Sequence, residues 1–150
     1  MTHTRQLADS GTITSTASTL NYNPATDGIA DSWWATYGIT GSSRVAANDA
    51  DGDGFTNAQE FAFGLNPSSA GGKTVEVSPT DSNKIVFLQR TSGATYQVQS
   101  ATDLGSGFNG TVTANAAADQ AGVPDGYTRY EATFPSGGRG FLRVQATLNP

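Results

Sequence analysis

Lys84–Ser100, KIVFLQRTSGATYQVQS, reads as two strands of different kinds joined by a turn. Its first half, Lys84–Arg90, is apolar on both faces, with Ile85 and Phe87 opposite Val86 and Leu88. A strand of that kind belongs in the centre of a sheet, between layers. After the turn signal Ser92-Gly93, Thr95–Ser100 alternates, with Tyr96 and Val98 on one side and Gln97 and Gln99 on the other. That is the pattern of a half-buried strand.

The flanking sequence repeats the theme. Arg129–Phe134 places Tyr130, Ala132 and Phe134 together, and Phe141–Leu148 does the same for Leu142, Val144, Ala146 and Leu148. Val75–Val77 and Thr111–Thr113 are shorter candidates. Turn signals fall at Asn109-Gly110, Asp125-Gly126 and Gly137-Gly138, and Gly137–Gly140 reads as a hairpin turn. Six or so short strands at this spacing predict a mainly β fold, a small antiparallel β-sandwich over residues 73–150.

The composition agrees. The 150 residues are 36% apolar and only 14% charged, with 18 glycines, which suits short strands and turns outside the cell better than a helical enzyme. A net charge of −5 argues against nucleic acid and anionic membrane as partners. With no cysteine there are no disulfide staples and no thiolate chemistry, so any staple has to come from elsewhere, and a metal ion could fill that role. No stretch approaches the ~20 apolar residues of a membrane-spanning helix. Met1–Gly11 lacks the apolar core of a signal peptide, so a secreted protein of this sequence is expected to be a mature form or a piece of a longer precursor. Residues 1–22 are rich in Ser and Thr, and Thr12–Thr16 is β-prone. That segment is expected as a loose tail, an added edge strand or a strand donated to a neighbour.

The chemistry of the chain is concentrated in residues 23–67. In Asp49–Glu60, DADGDGFTNAQE, oxygen-bearing side chains fall at positions one, three, five, nine and twelve, with glycine at six. Calcium takes six to eight oxygens, and a chain curling round one ion presents alternate residues to it. Asp49, Asp51 and Asp53, the carbonyl of Phe55, Asn57 and both oxygens of Glu60 form the predicted shell. Gly54 permits the sharp turn. An acidic surface turn is the bland alternative, but four carboxylates in a dozen residues repel one another without a counter-ion. Magnesium fits less well, because it prefers an octahedral shell that retains several waters.

Helix signals follow the loop. Ala58, Phe61, Ala62 and Leu65 form one apolar stripe, Gly64 is placed as a C-cap, and Pro67 stops extension. A degenerate copy precedes it. In Asn23–Trp34, Asn23, Asp27, Gly28 and Asp31 fall at positions one, five, six and nine, and Ile29 would offer its carbonyl at seven. Position three is Ala25 and position twelve is Trp34, neither of which carries a ligand oxygen there. Asp31 could instead cap a short helix over Ser32–Tyr37 that Gly38 ends. Trp33, Trp34 and Tyr37 could form a sugar-binding platform, but packing between the two short helices is the favoured reading.

DGIADSWWATYGI (Asp27–Ile39) and NDADGDGFTNAQEFAFGLNP (Asn48–Pro67) resemble the thrombospondin type 3-like calcium repeats of bacterial secreted proteins. The resemblance implies ligand roles for Asp49, Asp51, Asp53, Asn57 and Glu60, and in the first loop for Asn23, Asp27 and Asp31. Dockerins and EF-hands are neighbouring families, but they place the loop hydrophobe at position eight. Here Phe55 and Ile29 stand at position seven.

Function follows as an expectation. The chain reads as a non-enzymatic, extracellular or cell-surface module that calcium stabilises, self-associating into a fibre or surface assembly. The alternative is a module for carbohydrate or another cell-surface ligand, carried by a secreted enzyme. A nucleophilic triad would need a base, and the lone histidine is His3; Glu76 and Glu131 lie on predicted strands without a neighbouring acid.

Overall fold

The structure is a computed structural model that describes residues 3–7, 11–15, 27–135 and 140–149. Near the N-terminus, β1 (His3–Leu7) and β2 (Gly11–Ser15) form an antiparallel hairpin, so the β-prone Thr12–Ser15 does take strand form. Two short helices follow, α1 (Asp31–Thr36) and α2 (Asn57–Phe63). The rest is β: β3 (Glu76–Val77), β4 (Lys84–Arg90), β5 (Ala94–Ala101), β6 (Gly110–Val112), β7 (Asn115–Ala116), β8 (Tyr127–Thr133) and β9 (Phe141–Leu148).

These seven strands make two antiparallel sheets, ordered β3-β4-β8-β7 and β6-β5-β9. As its double-sided pattern predicts, β4 lies inside its sheet, between β3 and β8. The short turn at Ser92-Gly93 carries the chain from one sheet to the other, because β4 and β5 pair with different strands. The hairpin reading of Gly137–Gly140 needs correction: β8 and β9 also belong to different sheets and so are not the two arms of a hairpin. Residues 136–139 themselves lie outside the described residues. The two-residue β7 carries no alternation long enough to be read from sequence.

The inner faces of the sheets supply the core. Ile85 and Phe87 of β4, Ala132 of β8 and Val98 of β5 are buried, flanked by Tyr96, Tyr130, Leu142, Val144 and Ala146. On the other face of β4, Val86 and Leu88 are only half-buried. They floor an outer groove of about 530 Å³ rimmed by Lys73, Glu76, Arg129 and Glu131.

The loop-helix region packs onto this sandwich and shares its core. Ala62 and Phe63 of α2 belong to the sandwich cluster, while Phe61 joins Ile29, Trp33, Trp34 and Ile39 in a second one. A seven-residue helix is not stable alone in water, and this one is held at both ends. At its start Thr56 and Gln59 form a reciprocal capping box. At its end, where carbonyls lack helical partners, the Tyr127 hydroxyl donates to the Phe61 carbonyl (2.6 Å) and the Tyr96 hydroxyl to that of Ala62. Arg90 stacks its guanidinium 3.8 Å from the Phe61 ring centre and donates to the Tyr127 oxygen.

Gly64 ends α2 in a left-handed conformation, φ 70°. A Cβ there would meet Leu88 Cδ1 at 2.9 Å and Tyr127 Cε1 at 3.3 Å. Gly64→Ala therefore combines backbone strain with a clash and is expected to cost about 1–3 kcal/mol. Urea denaturation should show a lowered midpoint at unchanged slope; an unchanged midpoint would mean that the helix end can shift at no cost.

Candidate metal centre

The acidic loop is built by its own backbone. The Asp49 carboxylate accepts from Gly52 N (2.7 Å) and Gly54 N (2.8 Å), curling the chain back on its first residue. Asp51 Oδ1 accepts from Asp53 N, and Asp53 Oδ1 from Phe55 N. Gly54, at φ 98°, takes the turn that a side chain would strain. Asp53 Oδ2 reaches outside the loop to Gly71 N (2.9 Å), pinning the segment that leads to β3. As a result one oxygen from each of Asp49, Asp51 and Asp53 lies within 4.8 Å of the others.

Glu60 and Asn57 approach from α2. Both are wholly buried, and both Glu60 oxygens, Asn57 Oδ1 and Asp51 Oδ2 have no hydrogen-bond partner. A buried carboxylate without a partner is expensive when ionised. Burial pushes the Glu60 carboxyl up to about 7, with the negative charges of Asp51, Asp53 and Asp49 adding to the effect. The backbone N–H of Gly54 leads the opposite effect on exposed Asp49, whose carboxyl is held below its ordinary value. The unpartnered oxygens and the converging charge both fit a hard, oxygen-ligated cation. Asp49, Asp51 and Asp53 are the side chains brought to ligand spacing. Glu60, outside that trio but within reach of its charge, and Asn57 are the further side chains that could hold the ion. Phe55, half-buried at position seven, stands between Asp53 and Asn57.

The first loop keeps the backbone design and departs in its side chains. Asp27 Oδ1 accepts from Ile29 N at 2.9 Å, the same bond at the same two positions as Asp53 with Phe55. Gly28, φ 77°, matches Gly54. Asp27 Oδ2 is buried without a partner. Ile29, however, is a core residue, and Trp34 is wholly buried at the position that corresponds to Glu60. Asn23 lies outside the described residues. The expected cap by Asp31 is corrected: Ala30 is the N-cap, without a side-chain bond, and Asp31 starts the helix and forms an ion pair with Arg44. Among the described residues, the acidic cluster of metal-ligand geometry is that of the second loop alone.

Position nine of each loop grips one segment, which sequence reading missed. Asn57 Nδ2 donates to the carbonyls of Ser43 (3.2 Å) and Val45 (2.8 Å), and Asp31 pairs with the buried Arg44 between them. No periodic signal marks this contact. The capping box, also missed, does carry a local signal that could have found it, Thr56-Asn57-Ala58-Gln59. Trp33 and Trp34 are buried, edge to face at 75° and 5.1 Å, and so offer no flat exposed platform to a sugar. The Glu131 carboxylate is engaged in its own sheet, accepting from Lys84 Nζ at 2.7 Å.

Comparison with protein-family models, with curated proteins and with solved structures gives no match to this chain.

A pH dependence follows for the metal-free protein. The folded-state pKa of Glu60 lies above its ordinary 4.5, at about 7, so the folded state binds this proton more tightly than the unfolded chain does. Its contribution is greatest below the ordinary value and is lost as pH rises towards 7, by up to about 3 kcal/mol. In chelator, melting temperature should fall between about pH 5 and pH 8 in the wild type and far less in Glu60→Gln. Parallel profiles for the two proteins would show that Glu60 is not the group responsible.

Proposed function

We propose that this protein is a calcium-stapled structural subunit of an extracellular assembly, with no enzymatic activity of its own. The observation that carries the reading is Glu60, a wholly buried carboxylate with two unpartnered oxygens beside three aspartates. A dication would let Glu60 ionise at neutral pH and would neutralise the repulsion that the loop otherwise bears. Calcium suits this set better than magnesium, because it accepts many carboxylate oxygens in a flexible shell, both oxygens of one Glu included.

The ion's role would be to hold α2 in place. Outside cells, where calcium is about millimolar, a site with a dissociation constant of ~10 µM is about 100-fold saturated and contributes roughly 2.7 kcal/mol. For a small domain without disulfides that is a large share of net stability. Such a site suits permanent reinforcement better than sensing. The assembly part of the reading rests on the Ser/Thr-rich N-terminal segment, whose β1–β2 hairpin pairs with neither sandwich sheet among the described residues.

The test is thermal unfolding with calcium and with excess chelator, beside negative-stain imaging of both samples. Calcium should raise the melting temperature by on the order of 5–10 °C. Asp51→Ala should abolish the rise, and any filaments should be lost on chelation. Superimposable melting curves for the wild type would remove the calcium reading.

A further inference from the structure

We infer that β9 is the acceptor edge through which one copy of this chain takes up the N-terminal hairpin of another. The inference rests on the assembly reading above and names the two surfaces that would meet.

A sandwich of two open sheets has four edges, and this protein treats them unequally. The edge strands β3 and β7 have two residues each and β6 has three, whereas β9 has eight. Short edges give a foreign strand little to pair with; a long one presents a row of unpaired backbone groups. Among the described residues β9 pairs only with β5. Its sequence, FLRVQATL, holds no proline and one charge, Arg143. Gly28 packs against its Leu148 end, and α2 also approaches it. Toward the other end Phe141, Arg143 and Gln145 are exposed.

The hairpin has the complementary shortage. Among the described residues its two five-residue strands pair only with each other, and an isolated two-stranded hairpin is at best marginal in water. The two strands differ in charge. β2, GTITS, has none, whereas β1, HTRQL, carries Arg5 beside His3. Placing β1 next to β9 would pair two strands that each carry an arginine, Arg5 and Arg143, and like charges across a strand pair are unfavourable. Docking β2 on β9 avoids this and leaves charged β1 as the new outer edge, where a charge discourages further growth. The extended sheet would read β6-β5-β9-β2-β1.

A second copy is favoured over the same chain. Every strand pair in the structure is antiparallel. The chain enters the first loop beside Leu148, at the end toward which β9 runs. In the single chain the hairpin stands as a separate sheet, unpaired with β9 among the described residues, so the β9 edge is left open to the hairpin of another copy.

The experiment is complementation in sedimentation velocity, with full-length chains in calcium. Ile13→Pro disables the donor strand. For the acceptor, Val144→Pro and Gln145→Pro are both made, because adjacent residues of a strand direct their N–H groups to opposite sides. Only the variant whose N–H faces outward should keep the near-ultraviolet dichroism of the buried tryptophans, and that one is used. The wild type should gain mass with concentration. Each variant alone should stay monomeric, and an equal mixture should form a species of twice the monomer mass. Assembly that survives Ile13→Pro would overturn the inference while leaving the assembly reading intact. So would a mixture that stays monomeric. A wild type that is monomeric at every concentration would overturn both.

Discussion

The buried carboxylate of Glu60 is the constraint around which the loop-helix region is arranged. It sits on α2, in the first turn of the helix that follows the three aspartates, with no protein donor for either oxygen. Placing such a group in the interior is unfavourable unless it is protonated or a cation meets it. The loop N–H groups of Gly52, Asp53, Gly54 and Phe55 go to Asp49, Asp51 and Asp53, and the Asn57 amide nitrogen goes to Ser43 and Val45. Glu60 is therefore left to the negative charges of Asp51, Asp53 and Asp49. A protein selected only for stability would be expected to place an apolar residue there, as the first loop does with Trp34.

From Glu60 the consequences spread through α2. The next three residues divide between two cores, with Phe61 among the tryptophans and Ala62 and Phe63 among the sheet residues. Because one short helix serves both clusters, any shift of its axis would disturb both. Tyr96, Tyr127 and Arg90 fix its far end by supplying donors and a stacking plane to groups that the helix cannot satisfy itself. The ion that we propose would fix its near end. The helix is then clamped between an electrostatic anchor and a hydrogen-bonded one.

The two loops illustrate how one backbone solution can serve different ends. Both turn on a glycine at position six, and both use the aspartate before it to hold the N–H at seven. At position twelve they diverge, one burying Glu60 and the other Trp34. The first thus contributes a hydrophobic core, and the second concentrates the charge. Their position-nine residues meet the same short segment around Arg44, joining the pair laterally.

Much of this was legible in the residues. The double-sided apolar run of β4, the alternation of β5, β8 and β9, the helix over Asn57–Phe63 with Gly64 as its cap, and the acidic loop all follow from local spacing. Local spacing fixes which face of an element is apolar and which backbone turns are possible. It carries no information about which strands pair across the sandwich, and so Ser92-Gly93 and Gly137–Gly140 could not be told from hairpin turns. Nor could it foresee that Asp31 meets Arg44, that Gly71 binds Asp53, or that tyrosines from two sheets cap α2. The sequence by itself determined the longer strands, α2 and the acidic residues of the loop, because these depend on neighbours a few residues apart. The tertiary structure alone decided the burial of Glu60 and the two-core role of α2, because desolvation and packing depend on groups that only folding brings together.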